Sequence, residues 1–295
     1  MIEDYTDEEL VERIQDGGNY RILRRLLVND GPTRHRSDGE NFIGVAVDVE
    51  TTGLNPSEDV IIELAARRFT FDREGNILAI ERSCSWREDP GYSLESEIVR
   101  LTGLADSDLV GRVIDDAAAV ALLCSADVVV AHNAAFDRKF VERRLPEAAG
   151  LAWCCSCREI DWAGAGFDGR ALGWLAAQAG WYYDAHRAET DVDAVIALLQ
   201  HEMPGGRTAL RELLDTAGCP SVLVSAIGAS FDVKERLRSR GYRWDGSARV
   251  WKREVRSSDI LGEELWLASN VYSWEHRPRH TGPHLAELTW RERHA

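Results

Sequence analysis

The sequence predicts an α/β fold in which a mixed central β-sheet is flanked by helices. Three strand-like segments follow one another early in the chain without an intervening helix. Helix-like and strand-like segments then alternate as far as residue 203. A run of adjacent strands indicates an antiparallel meander. A meander followed by alternating helices and strands favours one mixed sheet with helices packed against it.

Each segment of the predicted meander has a pattern typical of a strand. Phe42–Val49 is an apolar, β-branched run, which indicates a buried central strand. Val60–Phe71 and Ile77–Trp86 are predicted as the second and third strands. Between them, Asp72–Asn76 has the sequence Asp-Arg-Glu-Gly-Asn, which predicts a hairpin turn.

The alternating region adds strands and helices to this meander. Asp127–His132 is predicted as a short buried strand. Cys154, Cys155 and Cys157 lie close together, but three thiols without a clear fourth ligand make a poor zinc site, so a buried strand end is favoured. Helical patterns cover residues 93–102, 113–124, 136–145, 170–179 and 188–202.

The N-terminal region is predicted to be helical and separate from the sheet. Residues 1 to about 28 predict one or two helices, the first capped by Thr6 with Glu9 completing a capping box. An apolar face follows, formed by Ile22, Leu23, Leu26 and Leu27. Residues 29–40 are polar and contain Gly and Pro, which predicts a linker.

The C-terminal region differs in charge from the rest of the chain. Pro204-Gly205-Gly206 ends the α/β domain, and residues 208–217 predict a connecting helix. Residues 220–256 carry nine Lys and Arg against four Asp and Glu, about +5 in an acidic protein. The predicted parts are an N-terminal helical segment and linker (1–38), the α/β domain (39–203), the connecting helix (204–219), and a small basic α+β domain and tail (220–295).

Composition and charge narrow the class of protein. The chain has 295 residues, 44% hydrophobic and 29% charged, which is an ordinary globular balance. Its formal net charge of −15 argues against a protein that coats nucleic acid non-specifically, because phosphate binding requires Lys and Arg. The acidic N-terminus lacks the apolar core of a signal peptide, and no apolar run reaches transmembrane length. A cytoplasmic protein with six free cysteines and no membrane partner is expected.

Five dispersed residues predict a metal-dependent site. Asp48 and Glu50 lie in Asp-Val-Glu-Thr-Thr-Gly-Leu, Asp137 ends His-Asn-Ala-Ala-Phe-Asp, and His186 and Asp191 lie in His-Arg-Ala-Glu-Thr-Asp. Carboxylates that converge from separate segments repel one another unless a cation compensates them. Hard oxygen ligands suit Mg²⁺ or Mn²⁺, and a pair of such ions is a standard device for cutting phosphodiesters.

Each of these residues alone has a simpler explanation. An Asp-x-Glu pair is usually a solvated turn, and a lone histidine is more often a surface residue. Asp137 could be a helix N-cap, and Asp191 could stabilise a helix dipole. Asp48 and Glu50 are spaced to share one face of a strand, and Asp137 follows a strand end, where open α/β sheets place their sites. Together, in this order, the residues favour a catalytic site.

These motifs resemble those of the DEDDh, or DnaQ-like, 3′→5′ exonucleases. The three acidic motifs quoted above are similar to the family's three motifs over residues 41–202, and Leu101-Thr102-Gly103-Leu104 resembles a substrate-contacting element between the first two. The residues of the motifs are most similar to those of the epsilon proofreading subunits of bacterial polymerases. The spacing between the motifs also resembles that of RNase T and oligoribonuclease. The resemblance implies an RNase H-like sheet.

The resemblance also implies roles for individual residues. Two Mg²⁺ ions, with Mn²⁺ as a substitute, would be held by the four carboxylates, Asp48 bridging both ions. His186 would deprotonate the attacking water, a role to which a histidine side chain is suited. The Thr51 backbone would contact the terminal 3′-hydroxyl, and Leu54 and Leu101 would wedge against the last bases. The other substrate-binding candidates are Thr52, Asn133 and Phe136. Arg187 and Glu189 fall at variable motif positions and receive no role.

The expected function is a metal-dependent 3′→5′ exonuclease that releases nucleoside 5′-monophosphates from single-stranded DNA ends. An exoribonuclease and a short-oligonucleotide or dinucleotide hydrolase are alternatives within the class. A nucleic-acid-binding scaffold in a polymerase, repair or defence complex is the alternative of another class. The sequence leaves open whether the protein forms a homodimer or binds a polymerase or repair partner.

The basic C-terminal segment is a second candidate for contact with nucleic acid. Residues 232–240 predict a short helix, and Tyr242–Trp244 and Val250–Lys252 predict two strands joined through Asp245-Gly246, a hairpin signal. Arginines interleaved with aromatic residues suit base stacking and phosphate contact. The alternative is a small packing domain in which the tryptophans form the core.

Overall fold

The computed structural model describes residues 6–16 and 18–295, in two compact units, Met1–Leu214 and Asp215–Ala295. The first unit contains α1 (Asp7–Asp16), β1 (Arg24–Arg25), β2 (Gly31–Pro32), β3 (Phe42–Thr51), β4 (Ile61–Phe71), β5 (Ile77–Ile80), β6 (Cys84–Arg87), α2 (Ser96–Thr102), α3 (Asp106–Leu109), α4 (Asp116–Cys124), β7 (Val128–Ala131), α5 (Ala134–Arg144), β8 (Trp153–Cys155), α6 (Leu172–Gln178), β9 (Trp181–Tyr182), α7 (Ala188–Leu199), β10 (Glu202–Met203) and β11 (Arg207–Thr208). Next come α8 (Ala209–Gly218), β12 (Ser221–Ser225), α9 (Lys234–Ser239), β13 (Arg243–Asp245), β14 (Val250–Arg256), α10 (Ile260–Asn270) and β15 (His284–Leu288). No helix among the described residues is long and apolar enough to cross a membrane.

The first unit is built on a seven-stranded mixed sheet. Its order is β2-β5-β4-β3-β7-β8, and β6 also pairs with β4. β3 is antiparallel to β4 and parallel to β7, and β7 is parallel to β8. The RNase H-like mixed sheet flanked by helices that the sequence predicts is thereby confirmed, with the meander of β3, β4 and β5 on one side and the parallel strands on the other.

The alternation along β3 separates the core from the acidic face. Val45, Val47 and Val49 point into a hydrophobic core shared with Leu123 of α4 and Phe140 of α5. Successive side chains of a strand point to opposite faces, so residues 46, 48 and 50 face the other way. A register shift between Glu50 and Thr51 marks an irregularity at the end of the strand, beside the predicted site.

The hairpin between β4 and β5 forms as predicted. The Asp72 Oδ1 accepts hydrogen bonds from the Glu74 N–H (3.1 Å) and the Asn76 N–H (2.8 Å), and Gly75 adopts a φ of 80°. The predicted third strand 77–86 is instead two strands, because β5 and β6 pair with different parts of β4. The short helix α3 lacks a sequence signal of sufficient length and is not predicted.

The N-terminal prediction is only partly correct. The capping box forms, since the Thr6 N–H donates to the Glu9 carboxylate at 2.8 Å, but residues 1–5 of the predicted helix lie outside the described residues. No second helix forms at residues 22–27; this stretch contains β1, which pairs with β9. Backbone pairing with a distant strand overrides the local helical pattern.

The predicted linker 29–40 also belongs to the sheet. β2 pairs with β5, and Arg67 of β4, which is 3% exposed, donates to the Val28 carbonyl at 3.1 Å and to Asp30 at 2.6 Å. A buried guanidinium needs several acceptors, and this segment, with the residue just before it, supplies two of them. The interpretation of residues 29–40 as a plain linker is therefore wrong.

The second unit is a four-stranded antiparallel sheet of order β13-β14-β12-β15 with helices α9 and α10. Its core contains Val224, Leu237 and Leu267. The predicted hairpin is confirmed, with Trp244 opposite Trp251 in the register. The sequence patterns did not predict β12 and β15. The connecting helix forms as α8, and Cys154 and Cys155 end the buried strand β8, as predicted, with Cys157 just beyond it.

Candidate active site

Three carboxylates meet where β3 passes beneath α7. Asp48 and Glu50 alternate with the core valines of β3 and therefore share a face. Asp191 lies in the first turn of α7. One oxygen from each of the three residues lies within 4.8 Å of the other two. The sequence prediction that these side chains converge from separate segments is correct for all three.

Asp137 approaches the same site from α5. Its Oδ1 accepts a hydrogen bond from the Val49 N–H at 3.2 Å, beyond the part of β3 that β7 pairs with. The carboxyl is 2% exposed. Asp137 thus ties the end of β3 to α5 while lying close enough to Asp48 to raise the pKa of that carboxyl. It is not part of the tight group of three carboxylates.

Burial raises the pKa values of all four carboxyl groups and is the largest cause in each case. Repulsion from neighbouring carboxylates adds to it for Asp48, Glu50 and Asp137. The pKa of Asp48 lies well above its usual range, that of Glu50 rises to about 8 and that of Asp137 to about 7. The pKa of Asp191 is also raised.

This donor set fits a divalent cation. Among the residues that the structure describes, no lysine or arginine forms an ion pair with any of the four carboxylates. Oxygen donors that repel one another within 4.8 Å suit hard cations such as Mg²⁺, which would compensate the charge. The acidic group of Asp48, Glu50 and Asp191 could therefore hold a metal ion.

Asp191 is held in place through both of its oxygens. The Tyr183 hydroxyl donates to Oδ1 at 2.8 Å, and the Arg187 N–H donates to Oδ2 at 3.1 Å. Burial and the neighbouring Asp191 raise the pKa of Tyr183, so this hydroxyl stays protonated and remains a donor. The carboxylate is thus oriented before any ligand binds.

His186 lies in the loop immediately before α7, as the sequence predicts. Its side chain is exposed, and its backbone has a φ of 65°, a left-handed conformation that few residues other than glycine adopt. The imidazole is near enough to Asp191 to lower the pKa of that carboxyl. The loop therefore presents an exposed histidine near Asp191.

Sequence reasoning missed Glu63, which holds this loop. Glu63 lies on β4 opposite Glu50 and is 1% exposed. Its carboxylate accepts hydrogen bonds from Arg187 Nη2 (3.2 Å), the Ala188 N–H (3.2 Å) and Arg87 Nε (3.1 Å). The available signal was a lone charged residue inside the apolar run Ile61–Ala66, where a buried carboxylate must have partners. Arg187, to which the sequence assigned no role, is one of them.

The predicted substrate-binding residues of the first motif lie around the end of β3. Thr51 is buried, and its hydroxyl donates to the Gly53 carbonyl at 2.5 Å. The Thr52 hydroxyl donates to Asp59 at 3.2 Å and accepts from the Tyr92 hydroxyl at 3.2 Å. Leu54 is 84% exposed. The threonines therefore shape the turn, while the leucine is available for contact.

Gly53 is required within this turn for a reason that the sequence did not indicate. A Cβ at this position would lie 2.5 Å from the Asp59 carboxylate. That carboxylate accepts from the Asn55 N–H at 2.7 Å and so closes the turn that carries Leu54. The requirement for glycine here therefore comes from a contact within the protein.

The other three substrate-binding candidates, Leu101, Asn133 and Phe136, lie on different elements and differ in exposure. Leu101 lies on α2 and is 48% exposed. Asn133 is exposed and has a φ of 89° just before α5, where it redirects the chain from β7. Phe136 is half-buried and packs against Phe140 with ring centroids 4.9 Å apart. Leu101 and Leu54 are accordingly the apolar side chains of the set most available to a substrate.

Comparison with known protein families supports this arrangement. The model of the exonuclease family RNase_T matches residues 45–199, just over half of the 295-residue chain. The chain belongs to this exonuclease family. The matched span begins in β3 and ends with α7, so it includes all five residues of the acidic and histidine motifs. The resemblance to DEDDh exonucleases is confirmed.

Curated relatives of similar sequence carry the name Ribonuclease T. That of Shewanella sp. (strain ANA-3) is 31% identical over 126 residues, which cover 38% of this chain and 55% of the relative. That of Histophilus somni (strain 129Pt) is 32% identical over 114 residues, which cover 34% of this chain and 52% of the relative. The chain thus spans about half the length of the curated relatives it matches.

Solved nuclease structures are similar over a larger part of the chain. Exonuclease X in complex with 5′ overhanging duplex DNA covers 59% of this chain and 93% of its own, with 19% identity and a TM-score of 0.42. E. coli Exonuclease I in complex with a dA16 oligonucleotide covers 85% of this chain and 64% of its own, with 16% identity and a TM-score of 0.47.

Proposed function

We propose that this protein is a metal-dependent 3′→5′ exonuclease that releases nucleoside 5′-monophosphates from single-stranded ends. The observation that carries the proposal is the convergence of Asp48, Glu50 and Asp191 within 4.8 Å, with Asp137 beside them and His186 on the loop above. A binding scaffold has no need of four buried or half-buried carboxyl groups at one site, whose burial is costly unless a cation compensates them.

The four carboxylates would hold two Mg²⁺ ions, and Mn²⁺ would substitute, because the donors are all hard oxygens. When bound, such ions lower the pKa of the attacking water and stabilise the leaving 3′-oxygen. Asp191 enters this set already oriented by Tyr183 and by the Arg187 N–H. Because Asp137 is buried, its carboxylate would reach an ion from the protein interior rather than from the solvent side.

His186 acts as the general base. Water attacks the phosphorus of the terminal phosphodiester, the bond from phosphorus to the 3′-oxygen breaks, and the imidazole accepts the water proton. The leaving 3′-oxygen takes a proton from solvent. An exposed histidine suits this role, because it can pass its proton to bulk water before the next cycle.

The end of the strand would be held by the turn after β3 and by α2. The Thr51 backbone contacts the 3′-hydroxyl, and Leu54 and Leu101 pack against the last bases, with Thr52, Asn133 and Phe136 around them. Apolar and backbone contacts carry little sequence information, so little base preference is expected.

DNA and RNA are both candidates for the strand. The motif residues, which resemble those of polymerase proofreading subunits, favour DNA. The names of the curated relatives, Ribonuclease T, favour RNA. The deciding assay uses 5′-labelled single-stranded DNA and RNA of matched sequence with Mg²⁺, Mn²⁺ or EDTA. The proposal expects a metal-dependent ladder that shortens from the 3′ end, and the faster strand is the preferred substrate.

The same assay includes His186→Ala and, as a matched control, His284→Ala, which removes an exposed histidine of the second unit. Loss of the ladder in His186→Ala alone supports the general base. Absence of cleavage of both strands by the unaltered protein with either metal would overturn the proposal in favour of the scaffold or of the short-oligonucleotide or dinucleotide hydrolase.

A further inference from the structure

The β13–β14 hairpin of the second unit presents a supported aromatic surface. Trp244 of β13 is 53% exposed and lies opposite Trp251 of β14. The two indole rings are 5.6 Å apart and meet edge to face. Trp251 also packs against the core that contains Leu237 and Leu267. The exposed indole of Trp244 is therefore supported by Trp251, which the core holds in place.

The hairpin is cationic, and both of its carboxylates are already paired, Glu254 of β14 with Arg293 at 2.8 Å. Residues 243–253 contain four Lys and Arg and a single acidic residue, Asp245. Asp245 accepts from the Ser247 N–H (3.0 Å), the Ala248 N–H (2.9 Å) and Lys252 Nζ (2.7 Å), which lowers the pKa of this carboxyl. Its charge shapes the loop of the hairpin and offsets Lys252.

Two arginines among residues 243–253 are left without a carboxylate. Arg253 pairs with Glu263 at 2.8 Å. Arg243 and Arg249 form no ion pair with any residue that the structure describes, and both are exposed. Arg243 directly precedes Trp244 on β13, and Arg249 lies in the loop that leads into β14. Two unpaired guanidinium groups on the same hairpin as a supported, half-exposed indole give a surface that complements phosphates and a base.

We propose that the β13–β14 hairpin is a binding site for single-stranded nucleic acid. Trp244 stacks on a base, and Arg243 and Arg249 contact backbone phosphates. This inference rests on the proposed function, because the strand is the substrate of the nuclease. In a chain of net charge −15, whose catalytic carboxylates repel phosphate, such a surface supplies the positive charge that a polyanion requires.

A protein strand added to the edge of β13 is the competing occupant. β13 has three residues, and an unpaired arginine and a half-exposed tryptophan stand on it. A short edge with a positive charge offers few backbone hydrogen bonds and discourages strand addition. The charge and the aromatic ring therefore favour nucleic acid.

The first test measures binding to the full chain in EDTA, where the strand is not degraded. The probe is a fluorescein-labelled single-stranded 20-mer, followed by anisotropy. Trp244→Ala is expected to weaken binding about 5- to 100-fold, the loss typical of one stacked base, while Trp244→Phe keeps most of the affinity. Trp274→Ala, which removes another exposed indole of the same unit, is the matched control and is expected to bind normally.

The second test separates phosphate contacts from stacking. Replacing both Arg243 and Arg249 with alanine is expected to lower the slope of log Kd against log salt by about 1.4, at roughly 0.7 for each phosphate contact on a single strand. Replacing Arg279, an exposed arginine outside the hairpin, is the control and should leave the slope unchanged. Trp244→Ala should weaken binding without changing the slope.

Hydrolysis of a small probe, the p-nitrophenyl ester of thymidine 5′-monophosphate, distinguishes this inference from the proposed function. All hairpin variants should hydrolyse it at the rate of the unaltered protein. If the unaltered protein hydrolyses the probe but Trp244→Ala and the double arginine variant bind the 20-mer as tightly as it does, the hairpin inference is overturned and the exonuclease stands. No hydrolysis by the unaltered protein would instead count against the exonuclease.

Discussion

Arg187 donates two hydrogen bonds to Glu63, from Nε at 3.3 Å and from Nη2 at 3.2 Å, and so ties the loop of His186 to β4. Glu63 also accepts from the Ala188 N–H, and the Arg187 N–H donates to Asp191. The residue that follows the candidate base is therefore held on one side by a buried carboxylate and on the other by a candidate metal ligand.

Replacing Glu63 with Gln is expected to lower kcat more than it raises KM. Glutamine keeps the shape but loses the charge and one acceptor, so Arg187 and Ala188 are held less firmly and His186 is misplaced. A drop in kcat of about tenfold or more is expected with less than a threefold change in KM, because a misaligned base affects the chemical step rather than strand binding. Steady-state kinetics on a single-stranded oligonucleotide measures both.

Glu81→Gln is the matched control, because Glu81 forms an exposed ion pair with Arg68 on the same sheet. Surface pairs of this kind contribute about 0–1 kcal/mol, so its kinetics should be normal. A Glu63→Gln protein with a lower melting temperature but unchanged kcat would show that Glu63 is only structural.

The metal-free protein is expected to lose stability as pH rises. The folded-state pKa of Glu50 is raised from 4.5 to about 8 and that of Asp137 from 3.8 to about 7. A raised pKa means that the neutral form is favoured by folding, so the stabilisation is complete below about pH 4 and is lost as pH rises through about 7 to 8. Thermal unfolding in EDTA between pH 5 and 9 should show the decline, and excess Mg²⁺ should reduce it. A melting temperature independent of both would contradict the prediction.

Replacing Asp48 with Asn is expected to abolish hydrolysis while stabilising the metal-free protein at pH 8. Asparagine removes one member of a repelling group at constant shape, and one pKa unit corresponds to about 1.4 kcal/mol, so a gain of order 1 kcal/mol is expected. Chemical denaturation in EDTA measures the gain. Asp137→Ala should not share it, because Asp137 accepts the Val49 N–H and its loss leaves that donor unpaired. Near-normal hydrolysis by Asp48→Asn would rule out the two-metal mechanism.

Replacing Gly53 with Ala is expected to raise KM for strand ends and to cost about 1–3 kcal/mol of stability. The new Cβ displaces the Asp59 carboxylate, which holds the Asn55 N–H and the Thr52 hydroxyl, so the turn that carries Leu54 must shift. Gly262→Ala is the control, because nothing lies within 4 Å of its Cβ position inside α10. That change should stabilise by about 0.5–1 kcal/mol. An unchanged KM in Gly53→Ala would show that this turn does not contribute to substrate binding.

Local patterns in the sequence predicted the elements that carry the candidate site. β3, β4, β7, α5 and α7 were predicted because long apolar runs and helical periodicity dominate them. Asp48, Glu50 and Asp191 were predicted to converge because each lies at a defined place on such an element. The second N-terminal helix and the linker were predicted wrongly, because β1 and β2 are formed by pairing with distant strands.

By itself, the sequence determined the mixed sheet, the exonuclease motifs and the residue types of the candidate site, since these depend on periodicity and on motifs of a few residues. Only the tertiary structure decided how those residues are held. Glu63 lies 124 residues before Arg187, and Asp137 lies 88 residues after Val49. No local pattern encodes a contact between such distant positions. Their partners follow from the strand register and from the requirement that a buried charge or N–H group be hydrogen-bonded.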